Sequence, residues 1–178
     1  MKSVLVGAVA IYRSAIDNPQ NLIDLVETSE DTSWQRSTVY VNGPIVSNFR
    51  TSSELHQFPI GVADALNQSF RTAVNHYICR FNAPVVLPEM SQFTMLKYAV
   101  GQEFQAHYDD SKSTPRRISA VGFLNDNYKG GELTFDLLNF VYEPVAGDIV
   151  VFPSNFVHLH GSIPITEGTK YSVVSWWI

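Results

Sequence analysis

His107-Tyr108-Asp109 sets an imidazole and a carboxylate two residues apart in an extended segment. Side chains at i and i+2 of a strand project from one face, so the two groups would stand together as neighbouring metal ligands do. A third ligand must come from elsewhere in the chain, and His158 and His160 both lie in a later apolar run. Two histidines and one carboxylate leave positions open on an octahedral ion, the arrangement suited to non-haem iron oxygen chemistry. Taken alone, the pair fits a core histidine hydrogen-bonded to an aspartate equally well. Lys170 adds a cation farther on, and Ser172 puts a hydroxyl on the same strand face. A lysine buried beside Tyr171, Trp176 and Trp177 needs an anionic partner, because an unpaired buried charge is costly. The distal carboxylate of a small diacid would supply one. The alternative is a Lys170 that snorkels to solvent. His56 and His76 have no partner pattern and read as structural or exposed.

The elements that must position these groups fall into two halves. Asp17 to Ser29 reads as a helix, with Asp17 or Asn18 as cap, Pro19 in the first turn and Leu22, Ile23, Leu25 and Val26 on one face. A longer helix is expected from about Ile60 to Phe81, where Val62, Leu66, Phe70, Val74 and Ile78 recur at a four-residue step. Asn42-Gly43-Pro44 is a turn signal in an otherwise polar stretch, and Pro84 and Pro88 forbid further helix. From Ser91 onward short apolar runs follow one another, at 91–99, 103–109, 117–124, 131–136, 148–152, 156–160 and 169–177. Turn residues separate them, which points to a sandwich or barrel. The expected class is α+β, mainly β, with a 1–90 helical support region and a 91–178 core in one domain of 1–178.

Composition narrows the function classes. Hydrophobic residues at 45% and charged residues at 16% fit a soluble globular domain that needs no structural metal. A formal charge of −5 disfavours a nucleic-acid groove, which requires a basic field. The lone Cys79 excludes an intrachain disulfide and a multi-cysteine zinc site, and reads as a buried structural thiol. It is compatible with a cytoplasmic location. Val4 to Tyr12 is apolar but too short to span a bilayer, and is read as a first strand. Motifs for serine hydrolases, phosphate loops and dinucleotide folds are absent.

Several segments in order resemble one family, the prolyl 4-hydroxylase branch of the iron(II)/2-oxoglutarate-dependent dioxygenases. They are Arg36-Ser37-Thr38-Val39; Ser47 to Ser52; Gln92 to Tyr98 with Gly101 and His107-Tyr108-Asp109; and Arg117 with Phe123-Leu124-Asn125. Gly130-Gly131-Glu132-Leu133, Phe135, Pro144, Gly147-Asp148, Phe152 and His160 to Ile165 with Gly168 and Lys170 continue the run. The resemblance implies a double-stranded β-helix (jelly-roll) core with N-terminal helices packed on one sheet. It implies His107, Asp109 and His160 as iron ligands. Lys170 stands ten residues after His160, the family's spacing for the residue that anchors 2-oxoglutarate, which selects His160 over His158. Tyr98, Ser172 and Thr94 are implied as further co-substrate contacts, Arg117, Trp176 and Phe104 as substrate contacts, and L-ascorbate as an additional cofactor. A proline-containing peptide is the implied substrate, with no membrane or nucleic-acid partner and a monomer or homodimer as the assembly.

Departures from the family pattern bear on substrate. Phe123 and Phe104 stand where tyrosines are expected, and Ile178 where a histidine is expected. The same chemistry on another side chain or a small molecule is therefore the first alternative, and a non-catalytic jelly-roll binding module the second. The polar segment Asp110 to Arg116 suits a mobile lid.

Overall fold

The structure is a computed structural model that describes residues 3–40, 44–83, 90–111 and 115–178. Asn42-Gly43, Pro84 and Pro88 lie outside the described residues. The chain opens with a hairpin, β1 (Ser3–Val6) and β2 (Val9–Tyr12), followed by α1 (Pro19–Thr28). Four short strands come next: β3 (Gln35–Arg36), β4 (Thr38–Tyr40), β5 (Pro44–Val46) and β6 (Ser53–Leu55). After α2 (Val62–Phe81) come β7 (Thr94–Tyr98), β8 (Phe104–His107), β9 (Ile118–Phe123), β10 (Lys129–Gly130), β11 (Leu133–Phe135) and β12 (Phe140–Tyr142). The last strands are β13 (Ile149–Pro153), β14 (His160–Ser162), β15 (Ile165–Glu167) and β16 (Lys170–Trp177).

An eight-stranded sheet runs β1-β2-β13-β9-β16-β7-β6-β3, and a four-stranded sheet runs β12-β11-β14-β8. All their pairings are antiparallel. The pleat divides the larger sheet between two cores. Val9 and Ile11 of β2, Val121 and Phe123 of β9, and Val150 and Phe152 of β13 pack toward Leu133, Phe135 and Tyr142 of the smaller sheet. Their neighbours Ala10, Tyr12, Ala120, Ile149 and Val151 turn the other way, against Leu22, Val26, Leu66, Phe70 and Val74 of the helices. Both faces of the central strands are thus buried, which explains why β2 and β9 read as continuous apolar runs rather than alternating ones. Gly122 lets α2 approach, since a Cβ there would stand 2.9 Å from the Phe70 ring.

Helix α2 buries Val62, Leu66, Phe70, Ala73, Val74 and Tyr77 and ends at Asn82, whose left-handed backbone closes it. Cys79 is exposed, which corrects its reading as a buried thiol. It lies nine residues after Phe70, half a rotation from that buried stripe at 3.6 residues per turn. The single N-terminal strand expected at Val4 to Tyr12 is instead the β1–β2 hairpin, turned at Gly7 with φ of 57°. Residues 156–158 form a 3-10 turn, so only the end of the expected 156–160 strand is extended. Buried Asp148 accepts hydrogen bonds from Arg13 Nη1 (2.6 Å), the Ser14 amide (2.8 Å) and the Tyr142 hydroxyl (2.7 Å), tying the hairpin to the smaller sheet. Among the described residues no helix is long and apolar enough to cross a membrane.

Candidate active site

The pairing of β8 with β14 places His160 directly opposite His107, with ring centroids 4.4 Å apart. Beyond His107 the chain leaves the strand and bends at Asp109, where the Asp110 amide donates to Ser154 O at 3.0 Å. Asp109 Oδ1 is then 3.5 Å from His107 Nε2, and Oδ2 is 3.5 Å from His160 Nε2. Each imidazole is oriented from behind: His107 Nδ1 is 2.9 Å from Gln105 O, and His160 Nδ1 is 2.9 Å from His158 O. A carbonyl only accepts, so each Nδ1 carries a proton and each Nε2 is the ring atom turned toward the carboxylate. Phe104 stacks on His107 at 3.7 Å between centroids and fixes that ring's plane.

Three ligand atoms, one from each of His107, Asp109 and His160, lie within 4.8 Å of one another. With metal–ligand bonds of about 2.1 Å, adjacent donors on an octahedral ion stand about 3 Å apart, and each Nε2 lies 3.5 Å from one Asp109 oxygen before any metal draws the donors in. Burial works against the charge on Asp109, but the two imidazoles and the Ser119 hydroxyl outweigh it and hold the carboxyl well below the usual range. Burial lowers His160 to about 4, against the opposing pull of Asp109. An ionised carboxylate beside neutral imidazole is the state that binds a metal cation.

Strand β16 builds the facing wall. Lys170, Ser172, Val174 and Trp176 alternate onto one face and line a cavity shared with His107, Asp109 and His160. Lys170 is 2% exposed at its inner end, between the rings of Tyr98 (5.3 Å) and Phe123 (5.4 Å). Its Nζ donates to Gly131 O at 2.6 Å and Ser162 Oγ at 2.8 Å, both neutral acceptors. Burial lowers its pKa to about 7, with Glu132 pulling weakly the other way. Leu96, Val121, Phe123 and Leu133 make the walls apolar. A buried cation at one end and a donor triad at the other suit a short dicarboxylate that chelates a metal.

Not every expected contact falls here. Tyr98 and Ser172 line the cavity, but Thr94 does not; its hydroxyl sits 3.3 Å from His56 Nδ1 in the outer mouth. Phe104 and Trp176 line both chambers. Arg117 is exposed, and its neighbour Arg116 faces the mouth instead, stacked on Trp176 at 3.6 Å with Nη1 3.8 Å from Asp109 Oδ1. His158 is buried outside the cavity, its Nδ1 2.8 Å from Asn155 Oδ1. Sequence reasoning passed over Ser162, although the two-residue step from His160 could have found it. It also passed over Arg50, which lies between the chambers with Nη1 3.4 Å from Glu54 and its guanidinium 5.0 Å from the Phe104 ring. Residues 112–114 of the expected lid lie outside the described residues; on either side of them, the Arg116 amide donates to Asp110 Oδ1 at 3.0 Å.

An antiparallel two-sheet fold thus sets a His-Asp-His cluster that could hold a metal ion opposite a buried lysine. Residues 93–178, just under half of the chain, match the 2OG-Fe(II) oxygenase superfamily model. A PKHD-type hydroxylase of Synechococcus sp. strain CC9902 is 27% identical over 168 residues, covering 87% of this chain and 74% of that protein. Probable prolyl 4-hydroxylase 9 of Arabidopsis thaliana is 29% identical over 113 residues, 47% of this chain but only 39% of the plant protein. A Trichoplax adhaerens prolyl hydroxylase, solved with a peptide fragment of the hypoxia inducible factor oxygen degradation domain, superposes with a TM-score of 0.76. It covers 96% of this chain and 83% of that one at 16% identity, a likeness of fold.

Proposed function

We propose that this chain is an iron(II)- and 2-oxoglutarate-dependent dioxygenase that hydroxylates proline in a peptide. One observation carries the reading: the triad of His107, Asp109 and His160 faces Lys170 across a single apolar cavity. In this reading the two sheets are a double-stranded β-helix, α1 and α2 support the larger one, and residues 1–178 form one domain. When bound, the metal and co-substrate supply dioxygen activation, conversion of 2-oxoglutarate to succinate and carbon dioxide, and oxygen insertion into a substrate C–H bond.

The protein supplies position and dryness. His107, Asp109 and His160 would hold the metal. Lys170 would neutralise the distal carboxylate of 2-oxoglutarate, with Ser162 and Ser172 offering hydroxyls beside it and Tyr98 a ring face. Leu96, Val121, Phe123, Leu133 and Val174 exclude water around it. Substrate would enter by the mouth, where Arg116 on Trp176 offers a flat cationic platform and Phe49 and Phe104 an apolar edge. The peptide held by the Trichoplax neighbour supports a peptide there.

The test is incubation with proline-containing peptides, iron(II), 2-oxoglutarate and ascorbate, followed by mass spectrometry. The expected result is one added oxygen atom on proline, in proportion to succinate formed. Succinate without peptide oxidation would reject the prolyl assignment and leave the oxygenase reading standing.

A further inference from the structure

Behind Asp109 lie two buried hydroxyls that touch neither cavity. Ser119 Oγ donates to Asp109 Oδ2 at 2.6 Å, and Ser154 Oγ lies 2.7 Å from Ser119 Oγ. Each serine is 1% exposed. A hydroxyl has a single proton to give. Asp109 is a carboxylate, so the proton in the first bond belongs to Ser119. Ser119 therefore accepts in the second contact, and Ser154 donates. The order runs Ser154 to Ser119 to Asp109, each bond polarising the next. Ser154 is itself held by its backbone, its amide donating to Arg117 O at 3.0 Å and its carbonyl accepting from the Asp110 amide at 3.0 Å.

The histidines alone do not choose between the carboxylate oxygens, since each Nε2 is 3.5 Å from a different one. The hydroxyl chain does choose. We propose that Ser119, backed by Ser154, is a positioning residue that occupies Oδ2, so that Asp109 gives a metal Oδ1 alone. The proposal rests on the metal site described above. A carboxylate binding through both oxygens would fill one of the three positions that a chelating 2-oxo acid and dioxygen require. The serine pair keeps that position open.

Cobalt(II) tests this without turnover, because its visible spectrum reports coordination number. The proteins to compare are wild type, Ser119→Ala, Ser154→Ala and the double variant, with metal-free melting temperature as the folding control. The Ser119→Ala variant should bind cobalt roughly tenfold to a hundredfold more weakly and with a changed spectrum. Ser154→Ala should show a smaller change in the same direction. The double variant should match Ser119→Ala, because Ser154 acts only through Ser119. A Ser119→Ala protein with wild-type spectrum and affinity overturns the proposal, as do additive effects in the double variant. If Ser119→Ala fails to fold, an unaltered Ser154→Ala spectrum and affinity overturns it equally. Wild-type protein that binds no cobalt overturns the metal site itself, a separate result.

Discussion

Replacing Asp109 by alanine should lower iron(II) affinity by more than about a hundredfold, beyond the loss expected for a supporting residue, and abolish succinate formation. Asp109 is the one anion in the triad, and the imidazoles beside it are neutral donors. Its removal takes away the charge that offsets the ion and leaves Ser119 and Arg116 facing a gap. Stability should also respond. The folded pKa of Asp109 lies below its unfolded value, so its ionised form stabilises the metal-free fold above the ordinary carboxylate range. That contribution is lost as pH falls through the folded value. The variant should therefore be less stable than wild type at neutral pH, and the gap should close on acidification. Metal titration under nitrogen and urea unfolding across acidic pH measure the two effects.

Replacing Lys170 by methionine should separate function from stability. Binding of 2-oxoglutarate should weaken by at least about a hundredfold, because the distal carboxylate would be buried without a cation. The empty fold should become more stable, by roughly 1–4 kcal/mol at pH below the lysine's folded value. Wild-type Lys170 is fully buried among apolar groups and titrates at about 7 in the folded chain, against about 10.4 for an ordinary lysine. Between those values the unfolded chain binds the extra proton, so wild-type stability rises with pH there. The methionine variant lacks that slope, and the two curves should converge as pH rises toward the ordinary lysine value. Binding moves the other way: the ammonium form is needed, so wild-type affinity for 2-oxoglutarate should decline as pH rises above about 7. Calorimetric titration and chemical unfolding over that range check both signs.

Strand geometry made the candidate triad only partly legible. Strand β8 ends at His107 and the chain bends at Asp109, so the bend, rather than a two-residue strand step, turns the carboxylate toward the imidazoles. Strand pairing brings His160 opposite His107, a placement that the local spacing of His158 and His160 did not single out. His158 looked equivalent only on the assumption of one continuous strand. The 3-10 turn at 156–158, held by Asn155 receiving the Val157 amide, turns it away. Both helices were visible from their apolar periodicity, to within two residues at each end. The helix phase could also have exposed Cys79. Substrate contacts were harder to read, since neighbouring residues in an extended chain face opposite ways. Arg116 and Arg117 are chemically alike, and only the start of β9 at Ile118 decides which one meets Trp176. The polar stretch from 31 to 55 concealed β3 to β6 because those strands are two or three residues long. Arg50 reaches the cavity from that stretch, and its partners Glu54 and Phe104 are contacts that only the folded chain creates.

A crystal structure of the protein soaked with manganese(II) and 2-oxoglutarate would test the centre most directly. The expected result is a single anomalous peak about 2.1 Å from His107 Nε2, Asp109 Oδ1 and His160 Nε2, with the distal carboxylate of the oxo acid against Lys170 Nζ. A peak elsewhere, or a bound oxo acid that leaves Lys170 without a carboxylate, would contradict the site assigned to this chain.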